Sequence, residues 1–184
     1  MRDSKSLYVV MSLAALLLAG CGNSVWVNRS EGVNTYTADF YVQTLAQNGT
    51  NAVMVRNNPF GPPGDDAALT ALRNRYASGQ YRFVLGPTAT DWNGYTVVLA
   101  FGPAVGVRNP CRPDQPLAPS QAGTTVLRGD YCYGDRIVSE AIGYTGGLSG
   151  PNDPQYAQLV AAVVAELFTN RQKDPNGGGP SPPG

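Results

Sequence analysis

An almost purely apolar run at residues 7–20 is the feature that most constrains what this chain can fold into. The run has 14 residues and follows a short segment that carries Arg2 and Lys5. Because a transmembrane helix needs about 20 apolar residues, the run is too short to span a bilayer. A basic start followed by a short apolar run is typical of a secretory signal peptide. We therefore expect the folded domain to be formed by the residues that come after this run.

The apolar run ends in Leu18-Ala19-Gly20-Cys21, and this sequence resembles the lipobox of bacterial prolipoproteins. The resemblance implies that residues 1–20 are a signal peptide and that Cys21 becomes the lipid-modified N-terminus. It also implies the periplasmic face of the outer membrane in a Gram-negative host, because Gly22 and not Asp follows the cysteine. Two or more acyl chains make a stable anchor, so the membrane is an expected partner. The alternative is an ordinary signal peptide followed by a chance cysteine.

The charge of the expected mature chain argues against nucleic acid as a partner. Residues 21–184 carry 11 basic and 12 acidic side chains, a formal charge of −1. They contain no basic stripe, so long-range attraction to a polyanion is not supported. Their length of 164 residues suits one domain, and the 37 Gly and Pro residues of the whole chain predict a fold rich in loops.

Two residue types that most enzymes use are missing from the expected domain. The chain has no histidine, and Lys173 is the only lysine after the signal peptide. Without histidine there is no Ser-His-Asp or Cys-His pair, no imidazole metal ligand and no usual general base near neutral pH. Without a lysine in the domain there is neither a Schiff base nor a P-loop lysine. We therefore expect no catalytic residues, no metal and no cofactor.

Two cysteines remain once Cys21 is acylated, and they predict a disulfide between Cys111 and Cys132. Such a bridge would restrict the unfolded chain by about 3 kcal/mol in the chain-entropy model. The alternative, a nucleophilic or metal-binding cysteine, lacks a histidine partner and a second pair of ligands.

Apolar periodicity and turn residues predict the order of the elements. A tether at 21–34 with a short strand at 24–27 precedes a helix at 35–48, a strand at 52–55 and a proline-rich surface loop at 58–64. A second helix is predicted at 66–77, with Asp65 and Asp66 as its caps. Four strands follow, paired as two hairpins, at 81–86 with 95–101 and at 124–133 with 136–144. Asp153 and Pro154 then begin a strongly amphipathic last helix, and residues 173–184 are expected to be disordered.

This order predicts an α+β fold, a two-layer sandwich with a mostly antiparallel sheet and helices packed on one face. Residues 35–172 are expected to form a single domain. In the order of its elements, the expected domain resembles small α+β domains of uncharacterised bacterial envelope lipoproteins. That resemblance involves no diagnostic motif, so it implies no site residues.

Three functions are compatible with these features, and the first is favoured. It is a membrane-anchored, non-enzymatic envelope protein that binds or supports another envelope protein. The second is a small-ligand or glycan-binding module, with Asp91, Trp92 and Asn93 of a hairpin loop as contacts, although a lone loop tryptophan also often caps a core. The third and least favoured is a hydrolase that uses carboxylates and needs no histidine; its candidate residues are Asp91, Asp130, Asp135 and Glu140.

Overall fold

The computed structural model describes residues 24–29, 51–76, 82–86, 94–102, 109–112 and 123–168. Four predicted features lie outside these described residues: Cys21, the helix at 35–48, the loop residues Asp91, Trp92 and Asn93, and the tail at 173–184.

Six strands form one mixed sheet, in the spatial order β1-β6-β5-β4-β2-β3. Their bounds are β1 Trp26–Arg29, β2 Asn51–Arg56, β3 Phe83–Leu85, β4 Tyr95–Phe101, β5 Thr124–Tyr133 and β6 Arg136–Gly146. Strand β6 pairs antiparallel with β1 and with β5, and β5 pairs antiparallel with β4. Strand β2 is parallel to both β4 and β3. The α+β class with a mostly antiparallel sheet is therefore confirmed.

Two helices, α1 at Gly61–Arg75 and α2 at Pro154–Leu167, pack on one face of this sheet. The predicted stripe of α2 is the centre of the core, because six of its side chains are fully buried: Tyr156, Leu159, Val160, Val163, Val164 and Leu167. The Asp153 carboxylate accepts a hydrogen bond from the Gln155 amide at 2.9 Å, so it caps the helix as predicted.

Helix α2 approaches the sheet closely because two strand residues have no side chain. A Cβ on Gly129 of β5 would lie 2.5 Å from Cγ1 of Val163, and one on Gly143 of β6 would lie 2.5 Å from its Cγ2. Real Cβ atoms do not come this close. The absence of a side chain at these two positions therefore allows Val163 to pack directly against the backbone of the two strands.

The predicted hairpin between residues 81–86 and 95–101 is wrong. Strands β3 and β4 do not pair with each other, because β2 lies between them and is parallel to both. Helix α1 makes the crossover from β2 to β3, which is the connection that a parallel pair requires. The hairpin of β5 and β6 is confirmed, and its turn has Gly134 at φ 57°.

The predicted start of the second helix is also wrong. Helix α1 begins at Gly61, so Pro62 and Pro63 lie in its first turn and not in a loop. Proline is well tolerated there because the first amides of a helix have no partner to lose. Asp65 does not cap the helix. It accepts a hydrogen bond from Nδ2 of Asn58 at 2.9 Å, and burial raises the pKa of its carboxyl.

Candidate functional site on the helix-free face

The sheet face opposite the two helices carries the predicted disulfide. It is called the helix-free face here because no helix among the described residues packs on it. Cys132 on β5 is bonded to Cys111, with 5.7 Å between their Cα atoms, which confirms the prediction. Both cysteines are fully buried with Val98 of β4, and Ile137 of β6 packs against them. The disulfide therefore holds the segment 109–112 on the sheet.

Two side chains fasten this segment at further points. Nη1 of Arg56 donates to the carbonyl oxygens of Pro110 and Arg112, each at 3.0 Å. Nδ2 of Asn109 donates to the carbonyl oxygen of Asp135 at 2.6 Å, in the hairpin turn. The disulfide segment is thus attached to β2, to β5 and to the turn before β6.

Beside the disulfide, one arginine joins two carboxylates. Nε of Arg128 donates to Oδ2 of Asp130 at 3.0 Å, and its Nη2 donates to Oδ1 of Asp130 at 3.0 Å and to Oε2 of Glu140 at 2.8 Å. The Asp130 side chain is completely buried, and those of Arg128 and Glu140 are 8% and 16% exposed. These three residues are called the charge cluster below.

The charge cluster depends on a shift in strand register. Tyr133 pairs with Arg136 and Cys132 with Ile137, but Tyr131 then pairs with Ser139, so the register changes by one residue. Because strand side chains alternate between faces, this bulge brings Glu140 opposite Asp130 on the helix-free face. In a regular hairpin Glu140 would point to the other side of the sheet.

Burial raises the pKa of the Asp130 carboxyl to about 7 from its ordinary value of 3.8. The hydrogen bonds and the charge of Arg128 oppose this rise, and the negative charge of Glu140 adds to it. A carboxyl of this kind takes up and releases a proton near neutral pH. Its lack of exposure, however, leaves it out of contact with a dissolved substrate.

The structure brings together only two of the four carboxylates that the sequence singled out. Asp130 and Glu140 share Arg128, whereas Asp135 lies in the hairpin turn and forms an exposed ion pair with Arg112 at 3.3 Å. Asp91 lies outside the described residues.

Aromatic side chains gather on the helix side, at the end of the sheet where β4 begins and β5 ends. The rings of Tyr95 and Tyr133 lie 4.7 Å apart, and Tyr131 stacks on Tyr95 at 5.5 Å. Phe168 contacts Tyr131 edge to face at 5.2 Å. Tyr133 is 49% exposed. Sequence reasoning missed this cluster, although Tyr95 directly follows the loop that holds Trp92.

A buried amide lies at the same end of the sheet. Asn51 of β2 is 1% exposed, and neither polar atom of its side chain has a hydrogen-bond partner among the residues that the structure describes. Burying such a group lowers the stability of the fold, because each buried donor or acceptor without a hydrogen-bond partner costs about 1–3 kcal/mol.

The most exposed large apolar side chain among the described residues is Trp26, at 66%. It lies on the edge strand β1 between Val25 and Val27, both of which pack against the core. Sequence reasoning did not single it out as a functional residue. The signal was the alternation of Val25, Trp26 and Val27, which places the tryptophan on the opposite face from the two valines.

Neither a metal-binding cluster nor a membrane-spanning helix is present in the described part of the chain. No group of three or more His, Cys, Asp or Glu residues within it is arranged to hold a metal ion. None of its helices combines the length and the apolar character that crossing a membrane demands.

No protein-family model matches this chain, and no curated protein matches it. Among solved structures, the chain is similar to the PelC dodecamer from Paraburkholderia phytofirmans, in two crystal forms. One, a point variant, is 14% identical with a TM-score of 0.40, and the match covers 79% of this chain and 98% of that chain. The other is 12% identical with a TM-score of 0.37, over 82% and 98% of the two chains. Likeness at this level establishes neither a shared fold nor a shared function.

Proposed function

We propose that this chain is a lipid-anchored protein of the bacterial envelope, held at the periplasmic face of the outer membrane through Cys21. Its domain binds another envelope protein and catalyses no reaction. The anchor is supported by the basic start, the apolar run and the lipobox-like Leu18-Ala19-Gly20-Cys21.

The binding function is supported chiefly by the exposed apolar side chains of one edge strand, β3. Val84 and Leu85 are 40% and 39% exposed, and both lie on the edge strand β3. An edge strand offers unpaired backbone groups to a partner strand, and neighbouring apolar side chains add specificity. Part of this edge is already used, because the Arg73 guanidinium donates to the Phe83 carbonyl oxygen at 2.9 and 2.7 Å. The partner is therefore expected to engage the edge beyond Phe83.

The charge cluster supports a structural role more than hydrolysis. Acid–base hydrolysis requires two carboxyl groups with space for a substrate between them. Here the donors of Arg128 fill the place between Asp130 and Glu140, and Asp130 has no contact with solvent.

The anchor is tested by labelling cells that make the protein with a radioactive fatty acid. We expect label in the native chain and none in Cys21→Ser. Equal labelling of the two, or labelling of neither, would contradict the anchor.

The partner surface is tested with a photo-crosslinking amino acid placed at Val84 of the lipidated protein in intact cells. The control position is Ala157, which is exposed on α2. We expect a discrete crosslinked product from Val84 that Leu85→Lys weakens, and no such product from Ala157. A product that forms equally from both positions would count against a specific edge.

Glycan binding is the second candidate, and the exposed Tyr133 ring beside Tyr95 favours it. Aromatic faces bind apolar faces of sugars, and Tyr95 comes two residues after Asn93 of the predicted ligand loop in the sequence. Titration with muropeptides and oligosaccharides tests it by calorimetry. We expect heat of binding in the native protein that Tyr133→Ala abolishes and Tyr144→Ala retains; no heat from any sugar would end this candidate.

A further inference from the structure

Trp26 belongs to a row of three side chains on the helix-free face. Trp26 of β1 pairs with Tyr144 of β6, and Tyr144 pairs with Val126 of β5. The tryptophan is 66% exposed, and the other two are half-buried. This row, called the Trp26 row below, crosses the sheet at one end and grows more exposed toward β1.

The chain around the Trp26 row is almost free of charge. Residues 24–27, 123–126 and 144–153 hold one charged side chain, Asp153. That carboxylate accepts hydrogen bonds from the amide of Gln155 at 2.9 Å and from the amide and hydroxyl of Ser149 at 3.1 and 2.9 Å. These donors hold the pKa of Asp153 below its usual value, and the charge serves to cap α2.

The opposite end of the sheet differs in charge. Arg82, Arg112, Asp135 and Arg136 are exposed there, around the starts of β3 and β6. Charged side chains are costly to move into an apolar layer, whereas tryptophan and tyrosine are enriched where lipid headgroups meet water. Of the two ends of the described sheet compared here, the Trp26 end of β1, β5 and β6 therefore suits contact with lipid.

The position of the anchor limits how far Trp26 can lie from the membrane. Trp26 is five residues after Cys21, and an extended chain advances at most about 3.6 Å per residue, so the two are separated by about 18 Å or less. The acylated cysteine lies at the level of the headgroups, a layer about 5–8 Å thick on each side of the hydrocarbon core. Trp26 is therefore within reach of that layer without any rearrangement of the sheet.

We propose that the Trp26 row rests on the phospholipid surface, with the Trp26 indole in the headgroup layer. This inference rests on the lipid anchor of the proposed function. It assigns Trp26 a second attachment to the membrane, which fixes the orientation of the domain. The hairpin turn of β5 and β6 then points away from the membrane, at the far end of a ten-residue strand about 33 Å long.

The test uses the full lipidated protein, purified and reconstituted into vesicles of phosphatidylethanolamine and phosphatidylglycerol. Trp92→Phe leaves Trp26 as the only tryptophan. We expect its emission to shift to shorter wavelength on reconstitution, and we expect quenching by brominated phospholipid with protection from acrylamide.

The matched control moves the single tryptophan to the other end of β5. Tyr133→Trp, combined with Trp26→Phe and Trp92→Phe, places it on an exposed site beyond the charge cluster. We expect its emission and its acrylamide quenching to be the same in detergent and in vesicles. If Trp92→Phe disturbs the fold, the difference between the spectra of the native chain and Trp26→Phe reports the same quantity.

Three results would overturn the inference. If Trp26 of the lipidated protein remains accessible to acrylamide and is not quenched by brominated lipid, the protein is anchored but Trp26 does not contact the membrane. A Trp26 that is shielded in whole envelopes but not in protein-free vesicles is covered by a protein. Mass spectrometry of the same preparation shows whether Cys21 carries acyl chains, and their absence overturns the anchor and the inference together.

Discussion

The guanidinium of Arg128 donates two hydrogen bonds to the carboxylate of Asp130, two residues further along the same strand. Nε lies 3.0 Å from Oδ2 and Nη2 lies 3.0 Å from Oδ1. Two side chains at positions i and i+2 of a strand lie on the same face, so the pair forms within β5 alone. Glu140 then joins from β6. The charge cluster therefore couples the folding of the hairpin to the ionisation of a buried acid.

Asp130→Asn is expected to flatten the dependence of stability on pH. The folded-state pKa of Asp130, about 7, exceeds its ordinary value of 3.8, so the folded chain holds a proton that the unfolded chain has released. Asp130 therefore adds fully to the free energy of unfolding below pH 3.8, its ordinary pKa. This stabilisation is lost as the pH rises through the folded-state pKa of about 7, by at most about 1.4 kcal/mol per pH unit. Urea unfolding between about pH 4 and about pH 8 measures this slope. An unchanged slope in Asp130→Asn would refute the assignment.

Arg128→Met is expected to destabilise the fold far more than Arg112→Met. The first change leaves two largely buried carboxylates without their shared donor and should cost about 3–5 kcal/mol. The second removes an ion pair whose side chains are 53% and 64% exposed, and such pairs contribute about 1 kcal/mol or less. Equal midpoints of denaturation for the two variants would show that the charge cluster is not a structural element.

Gly129→Ala and Gly143→Ala are expected to lower the free energy of unfolding by about 1–3 kcal/mol each, because the added methyl group would overlap Val163. Gly150→Ala is the control, since nothing lies within 4 Å of a Cβ at that position. Pairing Gly143→Ala with Val163→Ala should restore part of the loss. If the glycine variants unfold like the control, α2 does not lie as close to the sheet as described.

The bonds of Arg56 to the disulfide segment are expected to contribute more to stability while the disulfide is intact. Replacing Cys111 and Cys132 by alanine should cost about 3 kcal/mol. Arg56→Met should add a measurable loss in the oxidised protein and a smaller one in the alanine pair, because its acceptors, the carbonyls of Pro110 and Arg112, are then no longer held in place. A double-mutant cycle gives the coupling directly, and a coupling of zero would contradict it.

Asn51→Val is expected to stabilise the protein, by about 1–3 kcal/mol, because it removes an amide whose buried atoms find no partner in the described residues. The position is in a strand, where valine is favoured. Asn58→Val is the opposite case, since Nδ2 of Asn58 donates to Asp65 and to the Tyr156 hydroxyl, each at 2.9 Å. We expect the first variant to melt above the native protein and the second below it; the reverse order would show that Asn51 is satisfied.

The elements that sequence predicted correctly are those whose signals are local. The cap and the stripe of α2 lie within 16 consecutive residues, from Asp153 to Phe168. The hairpin of β5 and β6 is predicted by the turn residue between the two strands, Gly134. The disulfide followed from the count of cysteines in a chain expected to be exported. In each case the information needed is adjacent in the chain or contained in its composition.

The features that sequence missed depend on distant partners. The pattern of residues 95–101 predicts a strand but not that β2 is its parallel neighbour. Asp130 and Glu140 were singled out as carboxylates, but their meeting depends on one bulge beside Cys132. Asp65 looked like a cap because the following residues are amphipathic, whereas the prolines before it had already begun the helix.

The pairing of β1 with β6 also sets the order in which this chain can complete its fold. It joins Trp26 to Tyr144 and Arg29 to Ala141, so more than a hundred residues separate the two strands along the chain. Contacts of such long sequence separation form slowly, since a large loop must close first. Since β6 is the only described strand that pairs with β1, β1 cannot join the sheet before β6 is in place.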